Sequence, residues 1–348
     1  MTMRVGLIGC GVQGMVHLDA YDKLDDVEVV AVCDLDPARR QAASARTAGA
    51  AFASHRELLD AGELDLVSVC TMPATHEQIV CDALRGGVDV LCEKPMARTM
   101  AEAGAMAAAA RETGRALALG YNMRHMGSAR VLKRAIDDGA IGRPLAIRAF
   151  MHETDIPWWG KHHVKAINGG GAIQADAGHC LDLALWTIGF PRPLTVSGSV
   201  GRTFPHKGLE GSPGPDATRE YDVEDIASAH VRLEGGMWMT LDVVWSADRA
   251  APAYGYEIVG DRGTARFDPL SVLVRREGEL VELLAGAEAD TDWASSVHRG
   301  VAEVVGALRR GEPPPTILEE SLAIQAITDG IYASAAAGRE IAIERAAS

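Results

Sequence analysis

The chain is poor in aromatic residues, which fill 5% of its 348 positions, and poorer in basic than in acidic charge. Its 34 Lys and Arg stand against 48 Asp and Glu, a formal net charge of −14. Phosphate-rich partners select clustered Lys and Arg, so this balance argues against a nucleic acid or an anionic membrane surface as ligand. No apolar run reaches the ~18 residues that a membrane-spanning helix needs. The short apolar run 5–8 leads into glycines and not into a small-residue cleavage site, so no secretory signal is indicated and a cytoplasmic setting is expected. Only six cysteines occur, Cys10, Cys33, Cys70, Cys81, Cys92 and Cys180, and no two form a CxxC pair. They read as reduced, buried small side chains in preference to a thiol nucleophile or a structural zinc site.

What is present is a chain 47% hydrophobic and 24% charged, without internal repeats. Its length predicts two domains, each large enough to bury its own core. The first third alternates short apolar runs (4–9, 27–33, 66–70, 88–92, 116–120) with helical segments (14–24, 37–48, 55–59, 75–86, 100–113). Continuous apolar strands separated by helices predict an α/β doubly wound parallel sheet covered on both faces. After about residue 123 the pattern changes. A helix at 128–138 and an extended run at 144–151 precede a loop rich in Trp, His and Gly at 152–171, and 173–188 has a helical apolar period. Later runs (227–233, 237–245, 256–259, 273–276) alternate, which predicts an open, largely antiparallel sheet with helices on one face. The stretch 201–216 is rich in Gly and Pro and reads as a mobile loop. The expected division is 1–122 and 123–348, with the C-terminal helix packing back on the first domain.

Gly9-Cys10-Gly11-Val12-Gln13-Gly14 is a GxGxxG sequence that follows an apolar strand and opens a helix, with Asp34 twenty residues beyond Gly14 at the end of the second strand. That context turns a weak motif into a dinucleotide-binding one. Gly9 permits the tight turn, Gly11 lets the backbone approach a pyrophosphate, and Gly14 lets helix and sheet approach. The helix N-terminus offers N–H groups to the phosphates. Asp34 would accept hydrogen bonds from the ribose diol and repel a 2′-phosphate, which favours NAD over NADP. Arg39 and Arg40, further into the next helix, argue the other way.

Two further segments carry a resemblance. Glu93-Lys94-Pro95 follows the fourth strand, and Thr71-Met72-Pro73-Ala74-Thr75-His76 follows the third. With the glycine motif they resemble the glucose–fructose oxidoreductase / inositol dehydrogenase / MocA (Gfo/Idh/MocA) family. Asn168-Gly169-Gly170-Gly171-Ala172 followed by Asp176, His179 and Asp182 looks like that family's Gly-Gly-Gly…Asp…His…Asp helix, and 256–268 looks like its late sheet hairpin. The resemblance covers essentially the whole chain. It implies a Rossmann domain, a C-terminal α/β domain, and a cofactor crossing the cleft between them. It also implies oxidation of a secondary alcohol on a sugar, polyol or related ring, and a homo-dimer or homo-tetramer formed through the open sheet face.

Oxidising a secondary alcohol sends a hydride to the nicotinamide and the hydroxyl proton to a base. No metal is needed where a charged side chain stabilises the alkoxide. By resemblance Lys94 is the catalytic lysine. A lysine titrates near ~10.4, so it must be depressed to serve as a base, and partial burial and the positive nicotinamide would both do so. His179, titrating near ~6.5, could take or share the proton. Asp176, three residues earlier on the same helix face, could orient it or bind a substrate hydroxyl. The family's aspartate and glycine lie four and two residues before the histidine; here Ala175 and Ala177 hold those places, and Asp176 and Gly178 each come one residue late. Either Asp176 compensates or the helix start is shortened by a residue. By resemblance Thr71, Pro73, His76 and Glu93 hold the nicotinamide ribose. Tyr121, Asn122 and Arg124, with Asp155, Trp158, Trp159, Lys161, His162 and His163 of the 152–171 loop, are expected substrate contacts.

Acidic charge would suit an amino sugar or aminoglycoside, with Asp155 and Asp176 on the amine. Two other readings stay open: a glycosidase that oxidises its substrate transiently with tightly held NAD, and a dinucleotide-binding sensor without catalysis. Fold analogy does not choose among them.

Overall fold

The computed structural model describes residues 2–204, 220–288 and 290–344. They form two compact units, Met1–His125 with Asp292–Ser321, and Met126–Thr291 with Leu322–Ser348. The segment returning to the first unit is therefore centred on the helix Trp293–Arg309; most of the last helix, Leu318–Ala337, belongs to the second unit.

In the first unit, strands β1 (Met3–Ile8), β2 (Val27–Cys33), β3 (Ala50–Phe52), β4 (Leu66–Val69), β5 (Asp89–Cys92) and β6 (Leu117–Leu119) form one sheet in the order β3-β2-β1-β4-β5-β6. All five pairings are parallel. This is the doubly wound Rossmann order, whose ligand crevice lies beyond the carboxyl ends of the strands. Helices α1 (Val12–Tyr21), α2 (Pro37–Thr47), α3 (His55–Asp60), α4 (His76–Arg85) and α5 (Met100–Thr113) connect the strands. Pro37 opens α2 and the Asp36 carboxylate caps it by accepting Ala38 N–H at 2.8 Å. Val5, Leu7, Leu18 and Leu66 are fully buried, and Val297, Val301, Val304 and Val305 of the returning helix complete the same core. β3 went unrecognised in the sequence because three residues, two of them exposed, carry no periodic signal.

The second unit holds a nine-stranded sheet of β7 (Pro144–His152), β8 (Pro193–Gly201), β9 (Ile226–Leu233), β10 (Trp238–Val244), β11 (Ala253–Gly260), β12 (Gly263–Arg266), β13 (Ser271–Arg276), β14 (Glu279–Glu282) and β15 (Ile341–Ala342). Only β7 and β10 pair in parallel. Along β10, Met239, Leu241 and Val243 are buried while Asp242 is exposed, so one face takes the helices. These include α6 (Gly127–Asp137), the short α7 (Lys165–Asn168) and α8 (Gly178–Thr187). β8 was not foreseen; its Ser- and Gly-rich sequence lacks strand propensity, but a Cβ at Gly198 would lie 2.8 Å from Ile331 Cγ2, so the glycine admits the last helix. From residue 205 on, the stretch expected as a mobile loop lies outside the described residues. Among the described residues no helix is long and apolar enough to cross a membrane.

Candidate functional site

The glycine turn links β1 to α1. Gly9 has φ +94°, and a Cβ there would lie 2.5 Å from Cys70 O, so only glycine fits. A Cβ at Gly14 would overlap Gly9 O. Gly11 is the N-cap of α1 and supplies no side-chain cap. The N–H groups of Val12, Gln13 and Gly14 precede the first helical bond, Met15 N–H to Gly11 O at 3.0 Å, and point from the helix end as an anion cradle. At the end of β2 the Asp34 carboxylate accepts Cys10 N–H at 2.7 Å and Asp36 N–H at 2.8 Å, which fixes it beside the turn with lone pairs to spare. Arg40 donates to the Asp34 carbonyl at 2.6 Å, and exposed Arg39 lies 3.6 Å from Asp36. Leu35, 88% exposed, and Val12, 83% exposed, are bare apolar side chains flanking the turn. Leu35 was overlooked in the sequence, although an apolar residue between two aspartates was a usable signal. These features fit the diphosphate, ribose and adenine of a dinucleotide. Burial pushes the neighbouring Cys10 thiol up to about 12 and Cys33 to about 11, so neither is a thiolate nucleophile.

Lys94 follows β5 at the same sheet end, half-buried, with a cis peptide to Pro95. Beside it the Glu93 carboxylate is buried. Its Oε1 accepts from Gln13 Nε2 and pairs with His17 Nε2, both at 2.9 Å, and its Oε2 accepts Lys94 N–H at 3.2 Å. Burial raises this carboxyl, but the bond to His17, its charge, that of Lys94 and the Gln13 bond outweigh burial and hold it below the ordinary value. Gln13 and Glu93 are thus committed to each other. His76 is fully buried with Nδ1 3.0 Å from Pro95 O and Nε2 3.0 Å from Thr71 O. Burial lowers the imidazole, so the neutral ring donates to one of these carbonyls and lies against the other, between the Thr71 turn and the Pro95 corner. Thr71 Oγ1 accepts from Thr75 at 2.8 Å, and Pro73 is buried at the head of a short 3₁₀ turn.

Tyr121, Asn122 and Arg124 are buried within the first unit. Asn122 donates to Ser296 Oγ at 2.8 Å, and Arg124 reaches Glu320 at 2.6 Å and Pro315 O at 3.3 Å. Asn122 and Arg124 thus hold the returning segment, which sequence spacing alone did not reveal.

In the second unit the three-glycine run is explained by its neighbours. A Cβ at Gly170 would overlap the Tyr332 hydroxyl, and one at Gly171 would overlap Glu224 O. The buried Glu224 carboxylate accepts Gly171 N–H and Ile173 N–H at 2.9 Å and Tyr332 O–H at 2.8 Å, capping the helix that follows. That helix opens with π-helical residues Ile173–Ala177 and continues as α8. Asp176 lies within the π-helical stretch, and Gly178 and His179 open the α-helical one. Asp176 accepts the indole N–H of Trp245, which is fully buried just past β10. His179 and Asp182 follow on α8, both buried. Glu153, half-buried after β7, is raised by burial and then by the charge of Asp176. Glu224, Tyr332, Trp245 and Glu153 were missed because distant segments bring them in.

Within the 152–171 loop, Asp155 accepts its neighbour Ile156 N–H at 2.7 Å, Lys161 lies 3.5 Å from Glu220, and His162 meets Asn168 at 3.1 Å. Trp159 opens a 3₁₀ turn. Trp158 packs on His163, ring centroids 5.1 Å apart, and His163 stacks on Tyr221 at 6.4 Å and 7°. Burial lowers the His163 imidazole, and among the described residues Trp158 Nε1 and His163 Nδ1 have no hydrogen-bond partner. Among the described residues no group of three or more His, Cys, Asp or Glu is placed to hold a metal.

Two family models match. Residues 3–121 fit an oxidoreductase family with an NAD-binding Rossmann fold, and residues 129–266 fit a GFO/IDH/MocA C-terminal domain. The chain is 27% identical to a D-glucoside 3-dehydrogenase of Escherichia coli over 97% of each sequence. It is 32% identical to an inositol 2-dehydrogenase of Ralstonia nicotianae over 84% of this chain and 81% of that one. A levoglucosan dehydrogenase solved with NADH and levoglucosan superposes with a TM-score of 0.85 at 22% identity, covering 99% of this chain and all of that one.

Proposed function

Because the chain belongs to the GFO/IDH/MocA family and is an NAD-dependent dehydrogenase acting on CH–OH groups, we propose that it oxidises a secondary alcohol of a cyclic sugar or polyol with Lys94 as the acid–base group. The supporting observation is the Lys94 corner. A half-buried amine follows β5 at the carboxyl edge of the sheet, next to a buried carboxylate and to the glycine turn. When bound, NAD supplies the hydride acceptor. Gly9, Gly11 and Gly14 would admit its diphosphate to the N–H groups of α1, Asp34 would take the ribose diol, and Val12 and Leu35 would flank the adenine. The Asp34 carboxylate favours NAD over NADP, since it would face a 2′-phosphate. The Lys94 amine takes the hydroxyl proton as the C–H bond yields its hydride, and returns it in the reverse direction. In the second unit we propose His179, with Asp176 one turn earlier on its helix, as a further acid–base group. Trp158 and His163 offer a ring face and two unsatisfied ring nitrogens to substrate hydroxyls.

A second reading within this class is an amino sugar. Its motivation is the pair of carboxylates Glu153 and Asp176, the charge of one raising the other. Asp155, first expected in that role, accepts the Ile156 N–H. We also propose a homo-oligomer through the polar sheet face that presents Ser197, Ser228, His230, Thr240 and Asp242; light scattering reads it.

The test is NADH formation from NAD over inositols, hexoses, hexosides and amino sugars. Turnover of a neutral polyol with KM unchanged in its amino analogue supports the first reading. A KM much lower for the amino analogue moves it to the second. Bound NAD without NADH from any compound overturns both in favour of a transient-oxidation glycosidase or a sensor.

A further inference from the structure

We propose that His17 is a positioning residue for Lys94 that acts through Glu93. The proposal rests on the reading of Lys94 as the acid–base group. His17 lies on α1, one turn past Gly14, and is 1% exposed. Its Nε2 is 2.9 Å from Glu93 Oε1 and its Nδ1 is 3.2 Å from Ser68 Oγ. Ser68 Oγ is in turn 2.6 Å from the Tyr21 hydroxyl, which burial keeps protonated. Nε2–H donates to the carboxylate, and the Ser68 and Tyr21 hydroxyls hold the other side of the ring, which fixes its orientation.

Glu93 has little freedom to answer a loss of this bond. A Cβ at Gly120 would lie 2.7 Å from Glu93 Oε1, so the carboxylate sits against bare backbone. The adjoining cavity, lined in part by His17, Glu93, Asn122 and His125, has about 20 Å³, room for one water and not for bulk solvent. A buried carboxylate stays ionised only while donors and opposite charge replace its hydration. Take away the imidazole, and Glu93 keeps Gln13 and one long backbone bond. It then takes up a proton more readily, and Lys94 loses the anion at the preceding residue. A lysine without that anion gives up its own proton at lower pH. His17 thereby sets the pH at which Lys94 becomes a base. The other titratable groups near the pair include Tyr21, Cys70, His76, Cys92, His125 across the cavity and His298 on the returning helix; none is altered in the variants below.

The experiment titrates Lys94 directly, by competitive acetylation of the full chain across pH with mass-spectrometric readout, beside the pH profile of kcat/KM and the thermal midpoint. His17→Leu is expected to move the Lys94 midpoint down by about one pH unit. Glu93→Gln should do the same, and the double variant should move it no further, since both act on one charge. His17→Gln, whose amide N–H reaches the carboxylate, should restore the parent midpoint. An unmoved midpoint in His17→Leu, with only the thermal midpoint lowered, would show a packing role and overturn the proposal. Additive shifts in the double variant would also overturn it. Failure of the function reading looks different: no polyol is turned over, while the Lys94 midpoint still shifts.

Discussion

Each unit buries one glutamate beside its candidate functional segment, and the two respond to burial in opposite ways. Glu93 in the first unit is held below its ordinary pKa, although burial pushes it up. Glu224 in the second unit is raised, although it accepts two backbone N–H groups and a phenol. Glu93 has no more hydrogen bonds than Glu224; the difference is charge. An imidazole and the Lys94 ammonium face Glu93, whereas the partners of Glu224 are neutral donors at the start of a helix. A charged partner recovers more of the lost hydration of a carboxylate than neutral donors do. The first unit keeps its buried acid ionised beside Lys94. The second uses its own as a helix cap that fixes where Asp176 and His179 stand.

The contrast breaks most sharply at two glycines. Gly14→Ala and Gly171→Ala each drive a Cβ into backbone oxygen, of Gly9 and Glu224 respectively. Gly14→Ala should weaken NAD binding by about a hundredfold or more, because the helix end that cradles the diphosphate is displaced. Gly171→Ala should abolish turnover while NAD affinity, read by calorimetry, stays within about threefold, since the damage lies in the other unit.

Next in size is Asp34→Ala. It should raise KM for NAD about tenfold or more, the loss of a charge-assisted bond, and narrow the preference over NADP. Trp245→Phe removes the indole donor to Asp176 without emptying the core. Its expected cost is up to about tenfold in kcat, the worth of one hydrogen bond, with NAD affinity unchanged.

These effects divide along the line between what the sequence made legible and what it did not. The parallel sheet, the glycine turn, Asp34 and the Lys94 corner follow from runs of adjacent residues, because a βα turn is built by its own backbone. Pro37 and Asp36 announced α2 for the same reason. The roles of Glu224, Tyr332 and Trp245 depend on contacts with residues some fifty to a hundred positions away, and no local pattern encodes them. The late Asp176 was visible as an irregularity, but that it lies in a π-helical segment needed the backbone. His76 and Arg124, read as site residues by resemblance, also lie against the turn carbonyls and on Glu320, contacts that no local pattern announces.

The smallest effect is in the pH dependence of local stability. Glu93, with a lowered folded pKa, contributes stability that is present above the ordinary carboxylate value and lost as pH falls through its folded one. Glu224 and Glu153, with raised folded values, contribute stability that is present below the ordinary value and lost as pH rises through theirs. Acidification should therefore protect the backbone amides of Gly171 and Ile173 and deprotect those at the end of β5. Hydrogen exchange corrected for intrinsic rates measures both. Protection changing in the same direction at the two places would erase the contrast.

The measurement that bears most directly on the whole account is turnover by Lys94→Ala on the best polyol substrate, with NAD affinity measured on the same protein. The predicted result is a kcat lower by about a thousandfold with NAD bound as tightly as in the parent, to within about threefold. A variant that keeps a tenth of the parental kcat would contradict the assignment of Lys94, and with it the claim that the first unit carries the acid–base chemistry.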